Sequence, residues 1–119
     1  MAAVPAAFSD LLEISSQIET AVVLDGTSIV ASSIAEQKRS EEFAAAVRRL
    51  VQTAEQTRAG VKQIEVALPE GHLFVVREGS HQIAAATSAD PPSGLVFYDL
   101  RACVSGLATE PAEQKDAAE

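Results

Sequence analysis

The sequence predicts a three-layer α/β (α+β) sandwich: a five-stranded antiparallel sheet with one long helix on one face and two terminal helices on the other. Three observations predict it. The periodicities along the chain run α-β-β-α-β-β-β-α; a single long amphipathic segment separates two strands from three; and the strands are apolar toward both faces, so both need cover. A chain of 119 residues fits one domain. That domain is expected over residues 1–107, with 108–119 a disordered acidic tail.

The first element runs from Pro5 to about Ser16. Phe8, Leu11, Leu12 and Ser15 fall at i, i+3, i+4, i+7, one apolar stripe, and Pro5 suits a first helical turn, where its missing N–H is not needed. Two β-rich runs follow, Thr20–Leu24 and Ser28–Ser32, around Asp25-Gly26-Thr27. An Asp-Gly pair between such runs is a hairpin signal, because Gly accepts the positive φ of a tight turn. The first run is apolar at successive positions, as in an inner strand covered on both faces.

Residues 40–59 carry the clearest helical pattern. Phe43, Val47, Leu50, Ala54 and Thr57 repeat at 4, 3, 4, 3 spacing; Ser40 with Glu41 and Glu42 predicts the start, and Gly60 the stop. A second set of small or aliphatic residues, Ala44, Ala45 and Val51, lies off this stripe and predicts a further close-approach face. Three strands come next, over Gln63–Leu68, His72–Arg77 and Gln82–Thr87, joined by short turns into a meander. The last has the poorly strand-forming run Ala84-Ala85-Ala86, so tertiary packing with closely laid helices must decide it. After the break Asp90-Pro91-Pro92-Ser93-Gly94, Phe97, Leu100, Val104 and Leu107 make the stripe of a final helix, with Val96 and Cys103 beside it.

Composition narrows the function. The chain is 47% hydrophobic and 22% charged, too apolar for a disordered protein. Its aromatics are four Phe and one Tyr, with no Trp. A small core of Val, Ile, Leu and Ala gains from burying more surface in an oligomer. A net charge of −8 argues against nucleic acid as a partner. Yet residues 36–62 hold six basic side chains (Lys38, Arg39, Arg48, Arg49, Arg58, Lys62) against four acids, the reverse of the rest. The lone Cys103 cannot form an internal disulfide, the N-terminus has no signal-peptide pattern, and no apolar run is long enough to span a bilayer. A cytoplasmic protein without membrane insertion is expected.

This order of elements resembles the roadblock / dynein light-chain family, a branch of the longin- and profilin-like small domains. The residues that carry the resemblance are Ala21-Val22-Val23-Leu24-Asp25-Gly26-Thr27-Ser28-Ile29-Val30-Ala31-Ser32 and Gly94-Leu95-Val96-Phe97-Tyr98-Asp99-Leu100-Arg101. The match spans roughly residues 5–107. The resemblance implies a dimer in which the strand after the long helix pairs with its copy and the two long helices lie side by side. Carried to this chain, the interface would use Ile64, Val66 and Leu68 with Ala44, Ala45 and Val51. Prokaryotic relatives act with a Ras-like small GTPase, stimulating or scaffolding it; eukaryotic relatives are cargo-adaptor or GTPase-complex subunits.

No catalytic constellation competes with that implication. There is no Gly-rich phosphate loop, so the chain is not itself the GTPase. His72 and His81 read as strand-end polar residues, Cys103 as a packed thiol, and no cofactor or metal is expected. Arg48 and Arg49, with Gln52 one turn and Glu55 two turns on, are the candidate partner surface, since Arg is enriched at interfaces and this segment has opposite polarity to the body. A solvated face paired to nearby Glu is the bland alternative. The expected function is thus a non-enzymatic homodimeric adaptor or regulator of a Ras-like small GTPase in prokaryotic signalling; the alternative is a small-molecule sensor of PAS- or profilin-like shape, with a sizeable apolar pocket.

Overall fold

The computed structural model describes residues 5–109. Eight elements follow in the expected order: α1 (Ala6–Ile14), β1 (Ile18–Asp25), β2 (Ser28–Ser32), α2 (Gln37–Thr57), β3 (Gln63–Leu68), β4 (Gly71–Glu78), β5 (His81–Thr87) and α3 (Ser93–Thr109). The strands form one sheet in the order β2-β1-β5-β4-β3, and every neighbouring pair is antiparallel. β2 and β3 are therefore the two edges. Five strands at about 4.8 Å spacing set the edges roughly 19 Å apart. The 21 residues of α2, about 31 Å of helix, carry the chain from one edge to the other.

Side-chain alternation splits the apolar residues between two layers. On one face Phe8, Leu11, Val23, Phe74, Ile83, Val96, Leu100 and Val104 pack under α1 and α3. On the other, Val22, Leu24, Val75 and Ala84 meet Ala44, Val47 and Val51 of α2. The Ala run of β5 lies in the central strand, with Ala84 in one layer and Ala85 in the other. Small side chains there let helices approach from both sides, which offsets their weak strand propensity. The β1–β2 turn takes Gly26 at φ +62°, as the Asp-Gly signal requires. At the other end of the sheet Gly71 lies so close to β5 that an added Cβ would fall 2.0 Å from the Thr87 carbonyl oxygen.

Four local expectations are corrected. α2 begins at Gln37, one turn before Ser40; Ser40 is buried inside the helix and its Oγ donates to Ser32 Oγ at 2.8 Å. The buried line of α2 is Ser40, Ala44, Val47 and Val51, while Phe43 and Leu50 are only half-buried and Thr57 is exposed. Small residues take the position of closest approach, and larger ones flank it. Leu12 of α1 is turned outward and exposed. α3 extends to Thr109, two residues into the expected tail, and 110–119 lie outside the described residues. No described helix is long and apolar enough to cross a membrane.

Candidate protein-interaction surfaces

The α2 phase decides which of its residues face outward. Ala44 and Val51, expected at a dimer interface, are 0% and 5% exposed within the single chain and pack on the chain's own sheet. Their side chains are thus committed to the chain's own core, which corrects their expected place on the outer face of α2. Ala45 is half-buried beside them, while Arg49 and Gln52 are exposed.

Arg48 and Arg49 diverge although they are neighbours, since successive helical residues point about 100° apart. Arg48 reaches the β1–β2 turn, where its Nη2 donates to the Thr27 carbonyl at 2.7 Å and its Nε to that of Gly26 at 3.4 Å. Arg48 thus clamps the hairpin to α2. Glu55 is likewise engaged within the chain. Its carboxylate accepts from Arg77 at 2.5 Å, from the Val61 amide at 3.0 Å and from the Gly60 amide at 3.4 Å. The Arg77 hydrogen bond first, then that of Val61, holds the Glu55 carboxyl below its ordinary range. Arg77 also donates to the Val61 carbonyl at 2.9 Å. This knot ties the end of α2 and the loop after it to β4. Of the four residues expected to bind a partner, Arg48 and Glu55 thus hold the fold, leaving Arg49 and Gln52 on the outer face. Lys38, Arg39, Arg58 and Lys62 are exposed too, so the basic segment stays presented to solvent.

Edge strand β3 is the second surface. Ile64 and Val66 are half-buried and Leu68 is 50% exposed. Ile64 pairs with Val75, a residue of the α2 layer, so the three alternate positions share the face that α2 covers. On the opposite face Glu65 accepts hydrogen bonds from Ser93 Oγ at 2.7 Å and contacts His72 Nδ1 at 2.7 Å. Ser93 first, then His72, lowers the Glu65 carboxyl. Both partners bond the carboxylate and not each other, so this is a latch between α3 and the sheet, without the serine-to-imidazole contact of a nucleophilic triad. His81 lies 3.8 Å from Asp25. Among the described residues no three His, Cys, Asp or Glu side chains converge as a metal site, and Cys103 is buried.

Two clefts of about 630 and 770 Å³ flank α2. The first is lined by Val51 and by the side chains of Arg48, Gln52, Glu55, Arg77 and Gln82; the second by Ser28, Gln37, Ser40 and Glu41 with Ile29 and Ile34. Neither is the apolar chamber that the sensor alternative requires. Gln82 Oε1 is buried beside the first cleft without a hydrogen-bond partner among the described residues. Sequence reasoning missed the Glu55–Arg77 knot and the Arg48 clamp, whose partners lie 22 and 21 residues away with no local signal.

The site geometry is thus a small α/β domain with β3 as an exposed sheet edge and α2 presenting Arg49 and Gln52 outward. The comparisons agree on the fold. A Roadblock/LC7 domain from Streptomyces avermitilis superposes with a TM-score of 0.70 at 18% identity, covering 84% of this chain and 90% of that one. A second structure of a Roadblock/LC7 domain from the same organism gives 0.70 and 18% over 88% of this chain and 98% of that one. The chain has the roadblock/LC7 fold. No family profile matches it, and no curated protein matches it.

Proposed function

We propose that this protein is a non-enzymatic cytoplasmic adaptor that dimerises through β3 and binds a Ras-like small GTPase with the outer face of α2. The observation that carries the reading is the pairing of an uncapped edge strand, apolar at Ile64, Val66 and Leu68, with a neighbouring basic helix on an otherwise acidic molecule. An edge strand with free backbone groups is a template for another strand, and pairing with its own copy gives a closed two-fold contact. Joining two sheets at β3 sets the α2 helices on the same face, so the exposed Arg49 of each copy adds to one outer surface. An acidic patch on a GTPase is the complementary partner. The roadblock/LC7 fold supports the reading.

The test is light scattering on a size-exclusion column, followed by titration with candidate small GTPases. A mass of two chains, and binding that Arg49→Glu weakens while Arg48→Ala spares it, are expected. A single-chain mass, or affinity indifferent to Arg49→Glu, removes these surfaces from the function.

A further inference from the structure

The opposite side of the molecule carries a surface that this function leaves unused. α1 and α3 pack antiparallel on the sheet, Ala7 against Gly106 at one end and Ile14 toward Tyr98 at the other, and an outward groove of about 410 Å³ runs between them. Its floor is Leu11 and Cys103, which belong to the core; its walls include Ile14, Tyr98 and Ala102. Ile14 is 73% and Tyr98 64% exposed. The chain has five aromatics in all, and the four Phe are buried or half-buried. The remaining one, Tyr98, stands in solvent, of the residue type enriched in binding hot spots. Leu95, Tyr98 and Ala102 continue each other at i, i+3, i+7, so the ridge is a second apolar stripe on α3, facing away from the core stripe.

Charge selects the occupant. The charged residues lining the groove are Asp10 and Asp99, both acidic, and Glu13 lies one turn from Asp10 on an α1 that has no basic residue. Arg101 of α3 turns to the other flank, where it lines a cleft with Lys62 and Glu78. We propose that the α1–α3 groove docks a basic amphipathic helix of another protein. Such a helix would set apolar residues at i, i+4 spacing against Ile14, Leu11 and Tyr98, and Lys or Arg against Asp10 and Asp99. A second copy fits worse, because a two-fold contact would press Asp10 and Asp99 onto their own counterparts. Residues 110–119 fit worse as well, holding four acids and one Lys.

The α1 wall is about 13 Å long, so a helical probe of roughly 14 residues spans it. The full chain is titrated by fluorescence anisotropy with a labelled Leu/Lys peptide patterned for one apolar face, its Leu/Glu analogue, and a scrambled Leu/Lys peptide. The patterned Leu/Lys peptide is expected to bind one per chain. Ile14→Ala with Tyr98→Ala should weaken it at least roughly tenfold, and Asp10→Asn with Asp99→Asn should flatten its salt dependence. All four side chains are outside the core, and circular dichroism verifies the fold. Arg49→Glu on α2 should change nothing, which separates this surface from the GTPase-binding one. No binding of the patterned peptide, equal binding of the scrambled one, or indifference to Ile14→Ala with Tyr98→Ala overturns the proposal, the last two being unspecific attraction to an acidic chain. A roughly tenfold gain on deleting residues 2–4 would assign the groove to the chain's own N-terminus. A halved solution mass for the Ile14/Tyr98 variant would assign it to a second copy. Either result also overturns it.

Discussion

Leu68→Asp tests the edge-strand dimer at the residue where the magnitude can be worked out. A two-fold pairing of β3 centred on Val66 places Leu68 opposite Ile64 of the copy, on the face covered by α2. Fully burying a Leu side chain contributes about 1.5–3 kcal/mol. Leu68 is 50% exposed in the single chain. Completing its burial therefore contributes about 1 kcal/mol per chain and about 2 kcal/mol per dimer. Asp forfeits this and adds a carboxylate that must be desolvated, so the dimer dissociation constant should rise at least roughly 30-fold. The fold should survive, because Leu68 is the last residue of β3, beside the Pro69-Glu70 turn, and lies outside both buried clusters. Sedimentation equilibrium over a concentration series reads the constant, and a urea titration of the same samples checks stability. An association constant unmoved by Leu68→Asp, with the wild type a dimer, would refute the β3 pairing.

Phe74 is fully buried and meets Phe97 edge-to-face at 5.0 Å. Phe74→Ala should cost about 3–5 kcal/mol, read as a drop in the urea midpoint without change of slope. Gly71→Ala should destabilise although alanine is small, because its Cβ collides with the backbone oxygen of Thr87; a midpoint equal to wild type would contradict the β4–β5 geometry. The carboxyls of Glu55 and Glu65 are held below their ordinary value of 4.5. A depressed folded-state value means stability that is present above the unfolded value and lost as pH falls through the folded one, so urea midpoints should fall on acidification below the ordinary carboxylate range. Glu55→Gln with Glu65→Gln should flatten that dependence, and an unchanged slope would show that neither latch contributes.

Element order, layer count and the hairpin turn were legible in the sequence because each rests on local signals: 3.6-residue periodicity, runs apolar on both faces, and an Asp-Gly pair. The phase of α2 was not. Hydropathy weights the large residues Phe43 and Leu50, whereas the closest approach to a sheet selects Ala44 and Val51, and both lines run through Val47. The choice between Arg48 and Arg49 follows from that phase, since one position more or less decides which guanidinium meets the β1–β2 turn. Ser40 read as a cap because Ser caps helices, yet its partner Ser32 sits on β2 and the helix starts at Gln37. The α1–α3 groove was legible only in part. The spacing of Leu95, Tyr98 and Ala102 is in the sequence, but that α1 comes alongside with Asp10 and Ile14 is a tertiary fact.

The two faces of the sheet are closed to different degrees, and this separates the two proposed surfaces. Among the described residues, the α1–α3 layer holds thirteen buried side chains, including Phe8 and Phe74, while the α2 layer has seven, none larger than Leu24. Around that thinner layer Phe43, Leu50 and Ile64 are half-buried, as are Val66 and Leu73 beside them on β3 and β4. A second copy joined at β3 brings its own α2 alongside and turns such half-buried residues into core, so dimerisation there adds to folding stability as well as to association. The α1–α3 groove lies over a core that is already complete. A helix bound in it stabilises the fold only by the mass action of its own affinity. Dilution of the protein should therefore lower the thermal midpoint, whereas Ile14→Ala with Tyr98→Ala should leave it where it was.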